Sequence, residues 1–341
     1  MHLNGCELIT LPFEIQMIIL SYLGARELGN LLSLWKPQVL WEGIRASKRH
    51  KVYVQLDPTR ADCKPTSRAV GAVLAYFESD VVVRCEGENP YSVELVRSML
   101  KRCEFNATKL RQLELLGYFD SPVDDLPASV THVTFGRRFN QSVDQLPASV
   151  THLEFGFRFN QSVDQLPASV THLKFGRRFN QSVDHLPPSV THLEFGEEFD
   201  RPVDHLPASV THLKFGDEFN QSVDKLPCSL THLEFGEEFD RFDRPVDHLP
   251  ASLTHLSFGG RYEQPLDQLP ASLTHLEFGH WFDQSVDQLP ASVTRLEFGL
   301  CFNRPVDQLP ASVTHLKFGY RFNQSLAHLP ASLTHLELLS T

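Results

Sequence analysis

Seventeen histidines are the first side chains in this sequence that could do chemistry. Ten of them hold one position in a spaced series, His132, His152, His172, His192, His212, His232, His255, His275, His315 and His335, with Arg295 in the remaining place. Imidazoles arranged in this way could ligate a metal ion. A functional metal centre draws ligands from several directions and supports them with outer partners, which one straight row does not supply. The row is therefore expected to be a solvent-facing column with no metal and no cofactor. Its response to protonation should be modest, as charging it crowds positive charge onto one face. The cysteines (6, 63, 85, 103, 228, 301) show no CxxC spacing and read as reduced thiols, with no disulfide framework or zinc site. No nucleophile–base pair, phosphate-cradling glycine loop or carboxylate dyad stands out, so the chain is not expected to be an enzyme.

A second set of residues is informative because it changes along the chain. Two positions after a recurring glycine read Arg137-Arg138, Phe157-Arg158, Arg177-Arg178, then Glu197-Glu198, Asp217-Glu218, Glu237-Glu238. They continue as Gly260-Arg261, His280-Trp281, Leu300-Cys301 and Tyr320-Arg321. Stacked at strand spacing, these slots give a basic, an acidic and a mixed aromatic block along one edge. Like charges in adjacent rows repel, so the slots are read either as a recognition surface for a target protein or as drift after tandem duplication. The candidate target-binding residues are Arg137, Arg138, Phe157, Arg177, Glu197, Glu198, Glu237, Glu238, Trp281 and Tyr320. Phe157, Trp281 and Tyr320 serve as the aromatic anchors. A second column (Thr134, Glu154, Lys174, Glu194, Lys214, Glu234) alternates in sign, which mildly stabilises neighbouring strands.

What positions these residues is a repeat. Prolines at 127, 147, 167, 187, 207 and 227, then 250, 270, 290, 310 and 330 step by 20 residues except once, where a second Phe-Asp-Arg makes the step 23. Self-similarity at this period predicts a solenoid. Within each unit, VTHLEF alternates apolar and polar, as a half-buried strand does, and predicts a six-residue strand. Val150, Leu153 and Phe155 should point inward, with Phe159, Val163 and Leu166 closing the coil. Gly156 and its equivalents are expected to end each strand with a left-handed backbone. Twenty residues leave no space for an outer helix, so the expected fold is mostly β: a parallel solenoid with about twelve strands, from Leu110–Leu115 to Leu333–Leu338.

The array resembles leucine-rich repeats, with LxxLxL kept as VxxLxF. Its FN(Q/R)(S/P)V…LP(A)S(V/L)T wording resembles the FNIP repeat, a variant found in amoebae and the large viruses that infect them. The polar residue (Asn140, Asn160, Asn180) sits two places later than in ordinary leucine-rich repeats, which leaves open whether it builds their internal hydrogen-bonded ladder.

Ahead of the array, LITLPFEIQMIILSYLGARELGNLLSLWKPQVLW at residues 8–42 places Ile15, Ile18, Ile19 and Leu23 at helical spacing after Leu11-Pro12. The LPxEI, ILxYL and LW wording resembles an F-box. That resemblance implies docking on Skp1 through Leu11, Pro12, Ile15, Ile19, Leu20 and Leu23; the alternative is a plain helical cap. VYVQL and VVVRC read as strands between helical segments, and strand starts at Val52, Val81 and Leu110 are 29 apart, the period of α/β leucine-rich repeats. The expected organisation is an F-box at 1–48, helix-bearing capping repeats or a linker at 49–106, and the solenoid at 107–341.

Apolar residues reach 41%, enough for a core, and the net charge of −11 argues against nucleic acid as the main partner. No secretory signal or membrane span is expected, which suggests a cytoplasmic or nuclear location, in the host cell if the source is a virus. Together these features predict a substrate-recognition adaptor of a cullin-type (SCF) ubiquitin ligase, with a Skp1-like partner and an unnamed target protein. The alternative is a non-catalytic interaction scaffold.

Overall fold

In the computed structural model the described residues are 110–117, 119–236, 244–260 and 262–339, together with the backbone of two strands at 52–56 and 81–85. The F-box-like segment, the segments before residue 110 expected to be helical, and Glu237 and Glu238 lie outside them. The chain divides into two compact units, Met1–Gly156 and Phe157–Thr341.

The first unit holds five parallel strands in chain order, β1 (Val52–Leu56), β2 (Val81–Cys85), β3 (Leu110–Leu115), β4 (His132–Phe135) and β5 (His152–Glu154). Val52 pairs with Val81 and Val81 with Leu110, so the 29-residue spacing is real, with a register shift after Val81. The second unit holds β6 (His172–Lys174), β7 (His192–Glu194), β8 (His212–Lys214), β9 (His232–Glu234), β10 (His255–Ser257), β11 (His275–Glu277), β12 (Arg295–Glu297), β13 (His315–Phe318) and β14 (His335–Leu338), each parallel to the next.

The regular strands are three or four residues long rather than six. The difference comes from proline: Val210 donates its N–H to Pro207 at 3.1 Å and so closes a turn just before the strand. Its side chain still points into the core. Turns and extended segments carry the rest of each rung, with no helix among the described residues.

Two phenylalanine columns fill the interior. In the second unit Phe175 and Phe179 stack at 3.7 Å within a rung, and Phe175–Phe195 and Phe179–Phe199 stack at 5.6 and 6.0 Å between rungs. The first unit repeats this with Phe135, Phe139 and Phe155. Each fully buried phenylalanine contributes about 1.5–3 kcal/mol of burial free energy. The serine and threonine of each rung tie it to the one before: Ser209 Oγ donates to the Val190 carbonyl at 2.6 Å, and Thr211 N–H and Oγ1 donate to the Thr191 carbonyl at 2.9 and 3.2 Å.

The strand-ending glycines differ from expectation. Gly117, with φ of 65°, is the one positive-φ residue among those described. Gly156 and Gly216 are required for closeness instead. A Cβ on either would overlap the carbonyl of the preceding rung's glycine, Gly136 or Gly196.

The shifted asparagine column does form a ladder. Asn160 Oδ1 accepts the Asn180 N–H at 2.9 Å, Asn180 Oδ1 accepts that of Asp200 at 3.2 Å, and Asp200 Oδ1 accepts that of Asn220 at 3.0 Å. The following Gln or Arg also reaches back one rung: Gln181 Nε2 to Asn160 Oδ1 at 3.1 Å, and Arg201 Nε to the Asn180 carbonyl at 3.0 Å. The F-N-(Q/R) wording is therefore a hydrogen-bonding instruction. Among the described residues Asn220 Oδ1 is buried without a partner.

Candidate interaction surface

Three columns of side chains face outward from the strands and from the turn after them. The histidine column comes first. Neighbouring rings are nearly parallel, with centroids 4.1–4.2 Å apart from His172 to His275 and 4.3 Å apart between His315 and His335. The preceding threonine fixes each tautomer. Thr231 Oγ1 spends its proton on the Thr211 carbonyl at 3.0 Å, so toward His232 Nδ1, 2.8 Å away, it acts as acceptor. The ring proton is therefore on Nδ1, and Nε2 keeps its lone pair. Burial lowers the pKa of His212, His232, His255 and His275 below 6.5, and neighbouring charge lowers it further: adjacent imidazoles for the first three, Arg295 ahead of His315 for His275. Among the described residues no group of three His, Cys, Asp or Glu could hold a metal ion.

The charged column sits two residues further along each strand. Lys174 pairs with Glu194 at 3.1 Å and Lys214 with Glu234, so alternation neutralises this part of the face. Regularity then lapses. Ser257, Glu277 and Glu297 follow one another in register. Arg295, in the histidine column, turns to Glu297 with Nε and Nη2 at 2.8 and 2.7 Å from Oε1. Lys317 lies 3.8 Å from Glu297 and 4.0 Å from Glu337. Among the described residues Glu277 receives only a long hydrogen bond from Ser257 Oγ at 3.4 Å. Its pKa is raised, first by desolvation and then by the Glu297 charge, although the residue as a whole is exposed. A hollow of about 410 Å³ opens over β12 to β14, lined by Arg295, Glu297, His315, Lys317, His335 and Glu337.

The variable slots form the third column, and their backbone is itself a ladder: Glu198 N–H donates to the Arg177 carbonyl, Glu218 to Glu197 and Cys301 to His280, each at 2.9 Å. Among the sequence-predicted residues, the structure brings Phe157, Arg177, Glu197 and Glu198 together. Arg177 Nε lies 2.9 Å from Glu197 and 3.5 Å from Glu198, and the guanidinium of Arg177 also lies 5.5 Å from the Phe157 ring. The basic and acidic blocks thus meet in an internal ion pair, which the charge blocks did not foretell. Arg137 and Arg138 are exposed in the first unit. Trp281 and Tyr320 are 48% and 52% exposed, and with Leu336 and Leu338 they are the exposed large hydrophobics of the described residues.

FNIP repeats match residues 119–158, 159–198, 199–238, 219–261, 242–281, 262–301 and 302–340, which is most of the chain. The chain belongs to the FNIP repeat family. Among solved structures, this FNIP array is similar to CroV588 of a giant virus, described as a novel circular LRR protein, with 32% identity and a TM-score of 0.68. The match covers 85% of this chain and 47% of CroV588, so the chain spans about half the length of that protein. The functional domain of InlJ from Listeria monocytogenes aligns at 14% identity and a TM-score of 0.47, over 63% of this chain and 51% of that one. YopM from Yersinia enterocolitica aligns at 19% and 0.31, over 69% and 61%. No curated protein matches. Among the described residues no helix is long and apolar enough to cross a membrane.

Proposed function

We propose that this FNIP-repeat chain is a non-catalytic recognition module whose array holds a partner protein. The observation that carries this reading is the contrast within each rung. Ser, Thr, Asn and Phe are fixed by rung-to-rung contacts, while the exposed slots change from Arg to Glu to Trp on an unchanged backbone. A scaffold that holds its frame and varies only outward-facing side chains suits binding, with the backbone already in place and little ordering entropy to overcome. The finer proposal adds the N-terminal wording. Leu11, Pro12, Ile15, Ile19, Leu20 and Leu23 dock on a Skp1-like protein, and the chain recruits its partner to a cullin-type ubiquitin ligase in the cytoplasm or nucleus. Ubiquitin transfer then occurs on other subunits, and this chain contributes proximity.

Co-expression with Skp1 tests the finer proposal. Wild type should co-purify with Skp1, and Leu11→Asp/Ile15→Asp should not. Absence of Skp1 from the wild-type preparation removes the ligase role and leaves the plain interaction scaffold.

A further inference from the structure

Departures from the repeat rule in three separate columns fall on the same rungs, β10 to β13. The histidine column breaks at Arg295, the charge alternation lapses across Ser257, Glu277 and Glu297, and the slots turn apolar at Trp281, Leu300-Cys301 and Tyr320. Drift in one column would not select the same rungs in the others.

The chemistry at these rungs is one-sided. Glu277 is paired with no basic side chain of the described residues, because Arg295 is held by Glu297 and Lys317 lies between Glu297 and Glu337. On the same face, in register, stand His255 and His275, whose Nδ1 protons are committed to Thr254 and Thr274 at 2.9 Å. That leaves a carboxylate and two imidazole Nε2 atoms, all acceptors. A group with several N–H donors and a positive charge satisfies them together, as an ammonium or guanidinium does. A metal ion fits less well: the rings are 4.1 Å apart and only 16° from parallel, so their lone pairs do not converge. The adjoining edge offers exposed Trp281 and Tyr320 flanking Leu300 and Cys301. Its backbone is already hydrogen-bonded rung to rung, from Trp281 N–H to the Gly260 carbonyl and from Cys301 to His280. Recognition there runs through side chains, not through strand addition.

We infer that rungs β10–β13 are the docking site for a partner segment that carries a lysine or arginine beside a large apolar residue, with the cation against Glu277 and the apolar group against Trp281 and Tyr320. This rests on reading the array as a recognition module and deepens it by naming the place and the partner chemistry.

The test is selection of peptides from a phage-displayed random library on the full chain, with binding measured for synthetic versions of those enriched. Enriched peptides should pair a basic with a large apolar residue, and Glu277→Lys or Trp281→Ala should weaken them about tenfold or more. Glu277→Lys, with folding verified by circular dichroism, should bind a peptide whose basic residue is replaced by Glu better than wild type does. Enriched peptides lacking a basic residue, or indifferent to Glu277→Lys, overturn the assignment. Peptides lost instead on Glu197→Lys/Glu198→Lys overturn it while leaving the recognition reading intact, and no enrichment at all overturns both. The Skp1 test depends on other residues, so its outcome is separable.

Discussion

Replacing one asparagine of the internal ladder should cost stability, while replacing another should cost none. Asn160 Oδ1 accepts the backbone N–H of Asn180 at 2.9 Å and the side-chain amide of Gln181 at 3.1 Å, so Asn160→Ala strands the Asn180 N–H and leaves Gln181 with its 3.3 Å bond to the carbonyl of residue 160. An acceptor withdrawn from a buried donor costs about 1–3 kcal/mol. These donors are only part-buried, and water can reach the glutamine, which places the loss at about 1–2 kcal/mol. For a unit of this size that lowers the melting temperature by roughly 2–8 °C. Asn220 is the internal control, since its Oδ1 is buried with no partner among the described residues. Asn220→Ala removes an unsatisfied acceptor, and stability should change by less than about 0.5 kcal/mol or rise. Repeat arrays can unfold regionally, so the melt should be joined by amide exchange, with faster exchange at Asn180 in Asn160→Ala. An equal loss in the two variants would refute the idea that this column acts through its rung-to-rung acceptor.

Two further outcomes follow from the same geometry. Gly216→Ala places a Cβ onto the Gly196 carbonyl, and since backbone on both sides must shift, it should destabilise by at least about 2–3 kcal/mol in a denaturant melt. The histidine column fixes a pH dependence: folded His212, His232, His255 and His275 have pKa values below 6.5, so the unfolded chain binds more protons on the acid side. Their contribution is constant above 6.5 and is lost as pH falls through it. Thermal melts should show that fall, with a shallower slope in His232→Gln and His255→Gln.

Much of the fold could be read directly from the chain. The proline period, the apolar alternation and the paired phenylalanines each repeat often enough to identify a parallel coil, and the strands at Val52 and Val81 follow the longer period ahead of it. What escaped reading depends on distances between rungs. The Asn160–Asn180 bond needs the backbone trace, because the asparagine is offset from its place in ordinary leucine-rich repeats. The glycines look like turn formers, whereas their role is to let two carbonyl-bearing backbones approach. The strand is shorter than its alternating pattern because the Pro207–Val210 turn takes the first two residues while keeping Val210 inward. At the candidate surface, the changing slots were visible from sequence. The Arg177–Glu197 pair and the lapse at Glu277 were not, since both depend on which rungs are neighbours.

The rung-to-rung bonds also bear on how quickly the chain can fold. The side-chain ties of the second unit span 19 residues, as between Ser209 and Val190, to 24, as between Arg244 and Asn220. Against a chain of 341 residues, a separation of 20 is about 0.06 of the length, below the mean contact separation even of helical bundles and far below that of β-sandwiches. Each loop to be closed is short, and closing one rung presents the edge on which the next condenses. An all-β array built this way escapes the slow search for distant strand partners, and its folding time should grow with the number of rungs added rather than with the difficulty of any one pairing.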